Sequence, residues 1–309
     1  MTVEQSWIVL YKKLTTRMPF EKKIIYETTP KRLFTFGCSF TEYEWASWAN
    51  ILGFELNKKY NTKFYNFGRG GAGNSYISNL ISQVDQCYKF NNEDLVIVCW
   101  TSITREDRWK HDRWHCDGNI YSEYTELFDD KVTDLLADNT HFLMRDLANI
   151  KFVDSLLQNK TQYHFLSMKR IDDGGLFDTY YERLIKNYNS ILQKIYPSYY
   201  KILWNNDSSQ KYKINSKLLH KHYTDGHPSP IEHFYYLTKI FDYKFSDDTK
   251  SIVRETQDRF KKLILEVYSD IKEDTHPSSL PKIKYNRFYS ECENLHIQNP
   301  IDNHPIIVT

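Results

Sequence analysis

The sequence predicts an α/β fold in which a parallel sheet carries helices on both faces. Three observations carry that expectation. Short apolar runs suited to buried strands recur along the chain, first Leu33-Phe34-Thr35-Phe36, then Phe64-Tyr65-Asn66-Phe67, then Leu95 to Trp100. Segments with apolar residues at helical spacing separate those runs. Glycine closes the first two, at Gly37 and at Gly68-Arg69-Gly70-Gly71. Strands that alternate with helices bury a parallel sheet, and such a sheet keeps its functional residues at the carboxyl ends of the strands.

The elements follow in order. Residues 1–30 are polar and mixed, end in Thr28-Thr29-Pro30, and form an arm ahead of the fold. After the first strand, Trp45 to Leu56 repeats apolar residues at helical spacing (Trp45, Trp48, Ala49, Leu52). Residues 75–90 form the next helix and Asp94 to Trp100 the third strand. Phe165-Leu166-Ser167-Met168 and Ile202-Leu203-Trp204 supply strands four and five, with a helix from Tyr180 to Tyr196 between them that stops at Pro197. Residues 230–240 are the last helix of a domain spanning 31–240. The expected architecture is a three-layer α/β/α domain around a five-stranded parallel sheet. Residues 241–309 form an appendage, helical from Asp248 to Ile271 and extended in the proline-bearing tail.

Composition narrows the function classes. Lys plus Arg is 41 and Asp plus Glu is 40, so no global field recruits nucleic acid or an anionic membrane. Aromatic residues make up 16% of the chain. Part of that excess suits a binding surface, and an AT-rich genome explains it equally well. The five cysteines are odd in number and irregularly spaced, which argues for a reducing compartment rather than a disulfide framework. The N-terminus lacks a signal-peptide pattern, and no apolar run reaches membrane-spanning length. The expectation is a soluble chain, cytoplasmic at synthesis.

Two segments carry chemistry. In Phe36-Gly37-Cys38-Ser39-Phe40-Thr41 a serine follows directly on a buried strand. A nucleophilic serine needs a sharp turn that presents its hydroxyl, with backbone N–H groups nearby for an oxyanion. The plainer alternative is a serine that caps the next helix. Tyr223-Thr224-Asp225-Gly226-His227-Pro228 places a carboxylate and an imidazole on one short loop. A histidine that activates serine needs an acceptor on its other ring nitrogen. Asp-Gly and His-Pro also favour an ordinary turn.

Together these segments resemble the SGNH/GDSL hydrolase family, including its phage-encoded members, in four blocks that occur in the family's order. Gly37-Cys38-Ser39-Phe40-Thr41 resembles the Gly-Asp-Ser block, with Ser39 at the nucleophile. Asn66-Phe67-Gly68-Arg69-Gly70-Gly71 is similar to the second block, whose last glycine lends an N–H to the oxyanion hole. Trp100-Thr101-Ser102 stands where the family has Gly-x-Asn-Asp, and Asp225-Gly226-His227-Pro228 resembles the terminal Asp/His block. The resemblance implies a flavodoxin-like hydrolase domain that needs no metal or organic cofactor. It also implies the roles: Ser39 attacks, His227 is the base, Asp225 orients it, and the N–H groups of Ser39 and Gly71 hold the oxyanion. Three departures stand out. Cys38 replaces an aspartate. The third block has no asparagine, so Thr101 or Ser102 would donate in its place. Asp225 lies two residues before His227 where the family has three.

The segment after the third strand carries Trp100, Trp109 and Trp114 with Arg105, Arg108 and Arg113. Trp100 and Arg105 are candidate substrate contacts for a small ester or an acylated glycan, and a packed cap with structural ion pairs is the alternative. His111 and His115 have a metal-ligand spacing if that stretch is helical, but no second ligand pair accompanies them. Gly68-Arg69-Gly70-Gly71 lacks the ending of a phosphate loop. His220, His222 and His233 are expected at the surface. Two function classes result. One is a serine esterase, with glycan O-deacetylation as its narrower form. The other is a catalytically inactive binding or virion-structural protein of the same fold, with partner contacts through the C-terminal appendage.

Overall fold

The computed structural model describes residues 21–121, 130–171, 179–206 and 219–293. They fall into two compact units. Among the described residues, a sheet unit holds 25–43, 49–121, 130–171 and 179–196, and a helical unit holds 21–24, 44–48, 197–206 and 219–293.

In the sheet unit, β1 (Arg32–Gly37) is followed by α1 (Trp48–Tyr60), β2 (Lys63–Gly68), α2 (Asn74–Tyr88) and β3 (Asp94–Trp100). A hairpin of β4 (Arg105–Lys110) and β5 (Arg113–Asn119) comes next, then α3 (Asp130–Leu136), α4 (Asn139–Leu157) and β6 (Gln162–Ser167). The parallel sheet has the order β2-β1-β3-β6. In register, Gly37 stands beside Gly68 on one side and Cys99 on the other, so the strand ends that carry the candidate residues are level. Every residue of β3 is buried, as is usual for a parallel strand covered on both faces. Much of the aromatic excess is internal. Phe34 stacks on Tyr65 with ring centroids 4.9 Å apart and Phe36 on Phe67 at 5.2 Å, while Tyr88 and Phe90 meet Phe34 edge-on. Arg32 closes the amino end of the sheet with two hydrogen bonds to the buried Asp94.

The sheet of the described residues has four parallel strands, where five were expected. The segment assigned to the fifth, Ile202-Leu203-Trp204, is the end of helix α7 (Tyr199–Trp204). Three apolar residues do not distinguish strand from helix. The deciding groups flank them: the Ser198 hydroxyl accepts the Lys201 N–H at the helix start, and Asn205 ends it at φ 51°. The helix expected over Tyr180–Tyr196 is two shorter ones, α5 (Thr179–Asn187) and α6 (Asn189–Leu192).

The helical unit holds α7, α8 (Pro230–Ile240), α9 (Asp247–Val267), a 3-10 turn at Pro277–Ser279, and α10 (Lys282–Glu293). Helix α8 starts with a capping box between Ser229 and Glu232 and with proline in its first turn. Ser246 caps α9, with Asp247 and Asp248 at its positive end. Trp45 lies in the core of this unit against Phe260, centroids 4.5 Å apart. Among the described residues no helix is long and apolar enough to cross a membrane, and all five cysteines are free thiols.

Candidate active site

Ser39 sits in a tight turn at the end of β1. The Cys38 carbonyl accepts the N–H groups of both Thr41 (2.8 Å) and Glu42 (3.2 Å), which curls the chain around Ser39 and Phe40. Gly37 is required there, because a Cβ would stand 2.1 Å from Thr41 Oγ1 and 3.0 Å from the Cys99 carbonyl oxygen. Asn66 on β2 holds the turn from the side. Its Nδ2 donates to the Thr41 carbonyl (3.1 Å) and to the Glu42 carboxylate. Its Oδ1 accepts from the Thr35 hydroxyl (2.9 Å) and the Gly68 N–H (3.1 Å). Ser39 itself is 5% exposed, and Cys38, the thiol beside it, is fully buried.

The glycine-rich segment leaves β2 against the hairpin. Gly71 has φ +75°, and a Cβ on it would lie 1.9 Å from the Cys116 carbonyl oxygen. Both conditions exclude other residues. The N-terminus of α2 is already occupied by a carboxylate: Asp107 of β4 accepts the Gly73 and Tyr76 N–H groups, each at 2.8 Å. Arg69 is held by the Trp114 carbonyl (3.1 Å) and lies over the Tyr76 ring. The segment is thus tied to its own hairpin, and no phosphate need be invoked for its glycines.

At the end of β3, Thr101 is bracketed by the buried Asn74. The Thr101 N–H donates to Asn74 Oδ1 (2.9 Å), and Asn74 Nδ2 donates to the Thr101 carbonyl (3.2 Å) and to Asp146 (2.6 Å). Burial pushes the Asp146 carboxyl up to about 7 against the pull of Arg145 and Asn74. The Thr101 hydroxyl contacts Met168 Sδ at 3.8 Å. Trp100, expected as a substrate contact, is a core residue here: it is fully buried and meets Phe165 edge-on. Its β-strand position points it inside the sheet's packing. Arg105 is half-buried and donates to the Ala72 carbonyl (3.1 Å), beside Met168. His111 is in the two-residue hairpin turn at φ 52° and His115 is on β5, so their spacing is not that of a helix face. Among the described residues no cluster of three or more metal-ligating side chains occurs.

The helical unit brings Asp225 and His227 together. Asp225 Oδ1 lies 2.7 Å from His227 Nδ1 and also accepts the His227 backbone N–H at 2.7 Å. Burial raises the Asp225 carboxyl, but the charge and hydrogen bonds of His227, with His276 adding to them, outweigh it and hold the group well below the ordinary carboxylate range. An ionised carboxylate only accepts hydrogen bonds, so the neutral ring carries its proton on Nδ1 and keeps its lone pair on Nε2. That is the tautomer a general base requires. Trp45 Nε1 donates to the Pro228 carbonyl (2.9 Å) and fixes the loop just after the histidine.

His276 is the residue that sequence reasoning missed, and it comes from the segment read as an appendage. Its Nε2 lies 3.8 Å from Asp225 Oδ2. A parallel bridge between Tyr223 and Thr275 and a hydrogen bond from the Thr275 N–H to the His222 carbonyl (2.9 Å) bring the two segments together. The sequence held a signal for it. Asp225-Gly226-His227-Pro228-Ser229 recurs in outline as Asp274-Thr275-His276-Pro277-Ser278. The copies do different jobs: Asp274 faces His222 at 3.1 Å with its side chain 76% exposed, and His276 caps the 3-10 turn. His233, expected at the surface, is buried in α8 with Nδ1 3.2 Å from the Tyr199 hydroxyl. Burial first, then the charge of His227, lowers it to about 3 and keeps it neutral.

The structure thus groups the candidates as follows. Ser39, Gly71, Thr101, Trp100 and Arg105 belong to the sheet unit, at or just beyond the carboxyl ends of β1, β2 and β3. Asp225 and His227 belong to the helical unit.

No protein-family model matches the chain, and no curated protein matches it. Among solved structures, it is similar to a member of the lipolytic protein G-D-S-L family from Veillonella parvula DSM 2008. The TM-score is 0.37 and the identity 13%, over 69% of this chain and 99% of that one. It is also similar to BT4096, a gut microbial diltiazem-metabolizing enzyme, with a TM-score of 0.35 and 12% identity, over 73% of this chain and 48% of that one. Likeness at this level assigns neither an activity nor a site, so the functional reading stands on the residues themselves.

Proposed function

We propose that the chain is a serine ester hydrolase of the SGNH/GDSL type, with Ser39 as nucleophile, His227 as base and Asp225 as orienter. The observation that carries the reading is the Asp225–His227 pair at 2.7 Å, in which an ionised, buried carboxylate fixes the imidazole with Nε2 as acceptor. In the proposed reaction the Ser39 hydroxyl adds to the acyl carbonyl and gives its proton to His227 Nε2. The N–H groups of Ser39 and Gly71 receive the oxyanion, and among the described residues the Gly71 N–H has no acceptor. His227 returns the proton to the departing alcohol. Water then repeats the sequence on the acyl-serine, and the acid and serine are released.

The narrower reading is removal of acyl groups from a glycan. The hairpin supports it, since Trp109 is 47% exposed, packs on Trp114 at 5.8 Å, and is flanked by the exposed cations Arg108 and Arg113. Aromatic faces beside guanidiniums suit sugar rings and their acidic substituents.

A second reading, a phage-like member that is non-catalytic and binds or builds a virion, is favoured by one observation. The third block lacks its asparagine, and the Thr101 hydroxyl is turned to a sulfur. Fluorophosphonate labelling separates the two. The hydrolase reading expects labelling of the wild type and of Cys38→Ala, none of Ser39→Ala, and turnover of short acyl esters. An unlabelled, inactive but folded wild type overturns it.

A further inference from the structure

Arg105 is the first residue of β4, and its guanidinium lies among the strand ends of the sheet unit. Nη1 donates to the carbonyl of Ala72, the residue after Gly71, at 3.1 Å. Nη2 lies 3.8 Å from Met168 Sδ, the sulfur that the Thr101 hydroxyl also meets. The guanidinium thus joins the segments that leave β2 and β6, beside the end of β3. Its charge is felt at the sheet itself. Burial and then Cys38 push the Cys99 thiol up, with Thr41 and Arg105 opposing them. Cys99 is level with Gly37, two residues before Ser39.

Arg105 is half-buried, yet among the described residues it forms no ion pair. The acids near it are committed elsewhere. Glu106 pairs with Arg108 and Arg145, and Asp146 pairs with Arg145. Asp107 accepts the Gly73 and Tyr76 N–H groups. A partly desolvated cation without a counter-charge costs stability. A carbonyl and a thioether, itself a weak acceptor, engage only part of a guanidinium's donor set. What that planar fork fits best is a carboxylate.

We infer that Arg105 is a specificity-determining residue that binds a carboxylate of the substrate, so that the ester hydrolysed is an acidic one. The inference deepens the proposed hydrolase reading and rests on it for the ester chemistry, whereas binding of the anion needs no turnover. In the glycan form of that reading, the acyl group comes from an acidic sugar.

The test compares para-acetoxybenzoate with its methyl ester, acetates that differ by one negative charge, each rate divided by that with hydroxide. The wild-type kcat/KM should favour the anion about tenfold to a hundredfold, the scale of a charge-assisted hydrogen bond. In Arg105→Gln the ratio should fall to about one. Arg105→Lys keeps the charge and loses the fork, so the ratio should drop about threefold or more without vanishing. A merely structural role would lower both esters together and leave the ratio in place. A wild type that does not favour the anion, or a ratio unchanged in folded Arg105→Gln, overturns the inference. If Arg105→Gln fails to fold, an unchanged ratio in Arg105→Lys does the same. Binding of para-acetamidobenzoate, the amide analogue, is followed alongside by NMR titration of the full chain. It should weaken about tenfold in Arg105→Gln, and wild type should bind the methyl ester of the amide more weakly. An inactive chain that shows this loss keeps the carboxylate site and loses only the hydrolase reading. An active chain without the preference keeps the hydrolase reading and loses the carboxylate, and an inactive chain that binds both amides alike, or neither, loses both.

Discussion

The turn that carries Ser39 and the loop that carries His227 are held by different means. Around Ser39 the work is done by backbone geometry. Gly37 admits the close approach of Thr41, Gly71 takes a left-handed φ, and a single side chain, Asn66, bonds four groups that surround the turn. Around His227 it is done by charge and side-chain hydrogen bonds: a buried carboxylate, two imidazoles and a tryptophan N–H. The first arrangement rests on close backbone approach and one neutral amide side chain. The second titrates. A nucleophile gains from the former because its attack angle must not drift, and a base gains from the latter because its proton affinity must suit the working pH. The two buried aspartates repeat the contrast. Asp146 in the sheet unit is pushed up by burial, whereas Asp225 is held down by its histidines.

The largest expected effect is on the rigid side. Ser39→Ala should reduce ester turnover roughly 10^3- to 10^6-fold with an unchanged far-UV spectrum and melting temperature. Cys38→Ala is the matched control, since a thiol is the better intrinsic nucleophile. Its burial places it in the core, and it should keep activity at a modest cost in stability. Loss of activity in Cys38→Ala with retention in Ser39→Ala would move the nucleophile by one residue and erase the comparison.

On the titrating side, Asp225→Asn should lower kcat roughly 10^2- to 10^4-fold, because an amide does not enforce the Nδ1–H tautomer as the carboxylate does. In the wild type kcat/KM should rise with pH along a limb set by His227, since only the neutral ring accepts the serine proton. Stability gives the same group a second signature. The folded carboxyl is more acidic than the unfolded one at about 3.9, so Asp225 contributes stability above that pH. The contribution is lost as pH falls towards its depressed folded value. Urea melts from pH 6 to pH 3 should therefore be steeper in pH for wild type than for Asp225→Asn. Parallel curves would mean that the carboxylate is not ionised in the folded chain.

A smaller effect, read in stability, returns to the backbone. Gly71→Ala puts a Cβ 1.9 Å from the Cys116 carbonyl oxygen at φ +75°, and should cost about 2 kcal/mol or more in chemical denaturation. A neutral result would show that the hairpin gives way easily, and the glycine segment would then be as soft as the histidine loop is electrostatic.

The same contrast governs what was legible in the sequence. The strands of the sheet unit were readable because β1 and β3 are short, largely apolar runs of the kind a doubly covered parallel sheet buries, and β3 is observed at Asp94–Trp100 as expected. Helix α8 was readable from Ser229, Pro230 and Glu232. Helix α4 was overlooked because its buried face includes Asp146 and Asp154, which break the apolar stripe. The hairpin was hidden because its turn, His111-Asp112, lacks the glycine that usually marks two consecutive positive φ values. The proximity of Asp225 and His227 followed from two letters of spacing. That of His276 to Asp225 did not, because it depends on a bridge between residues 52 positions apart, Tyr223 and Thr275. The pairing of Asp274 with His222 could not have been chosen over a pairing with its own His276 without the fold.

The smallest expected effect is at Thr101, and it decides how far the rigid side extends. The residue stands where the family resemblance places a third oxyanion donor, so a working hydroxyl there would cost roughly tenfold to a hundredfold in kcat when removed. Its backbone is fixed by Asn74 on both sides, at 2.9 Å and 3.2 Å, which leaves only the side chain free to turn. The side chain is fully buried, with its hydroxyl 3.8 Å from Met168 Sδ. A thioether is a weak acceptor, so the contact itself adds little. Burial is the stronger restraint, because turning the hydroxyl means repacking a β-branched side chain that has few rotamers. Thr101→Val keeps that shape and removes only the donor. Its expected cost is therefore under about threefold in kcat, with KM unchanged, and Met168→Leu should be equally mild. On the proposed hydrolase reading, the oxyanion would then be left to the two backbone donors of Ser39 and Gly71. A loss of tenfold or more in Thr101→Val would show that the hydroxyl leaves the sulfur when an ester binds, and would give the strand ends of the sheet unit a moving part.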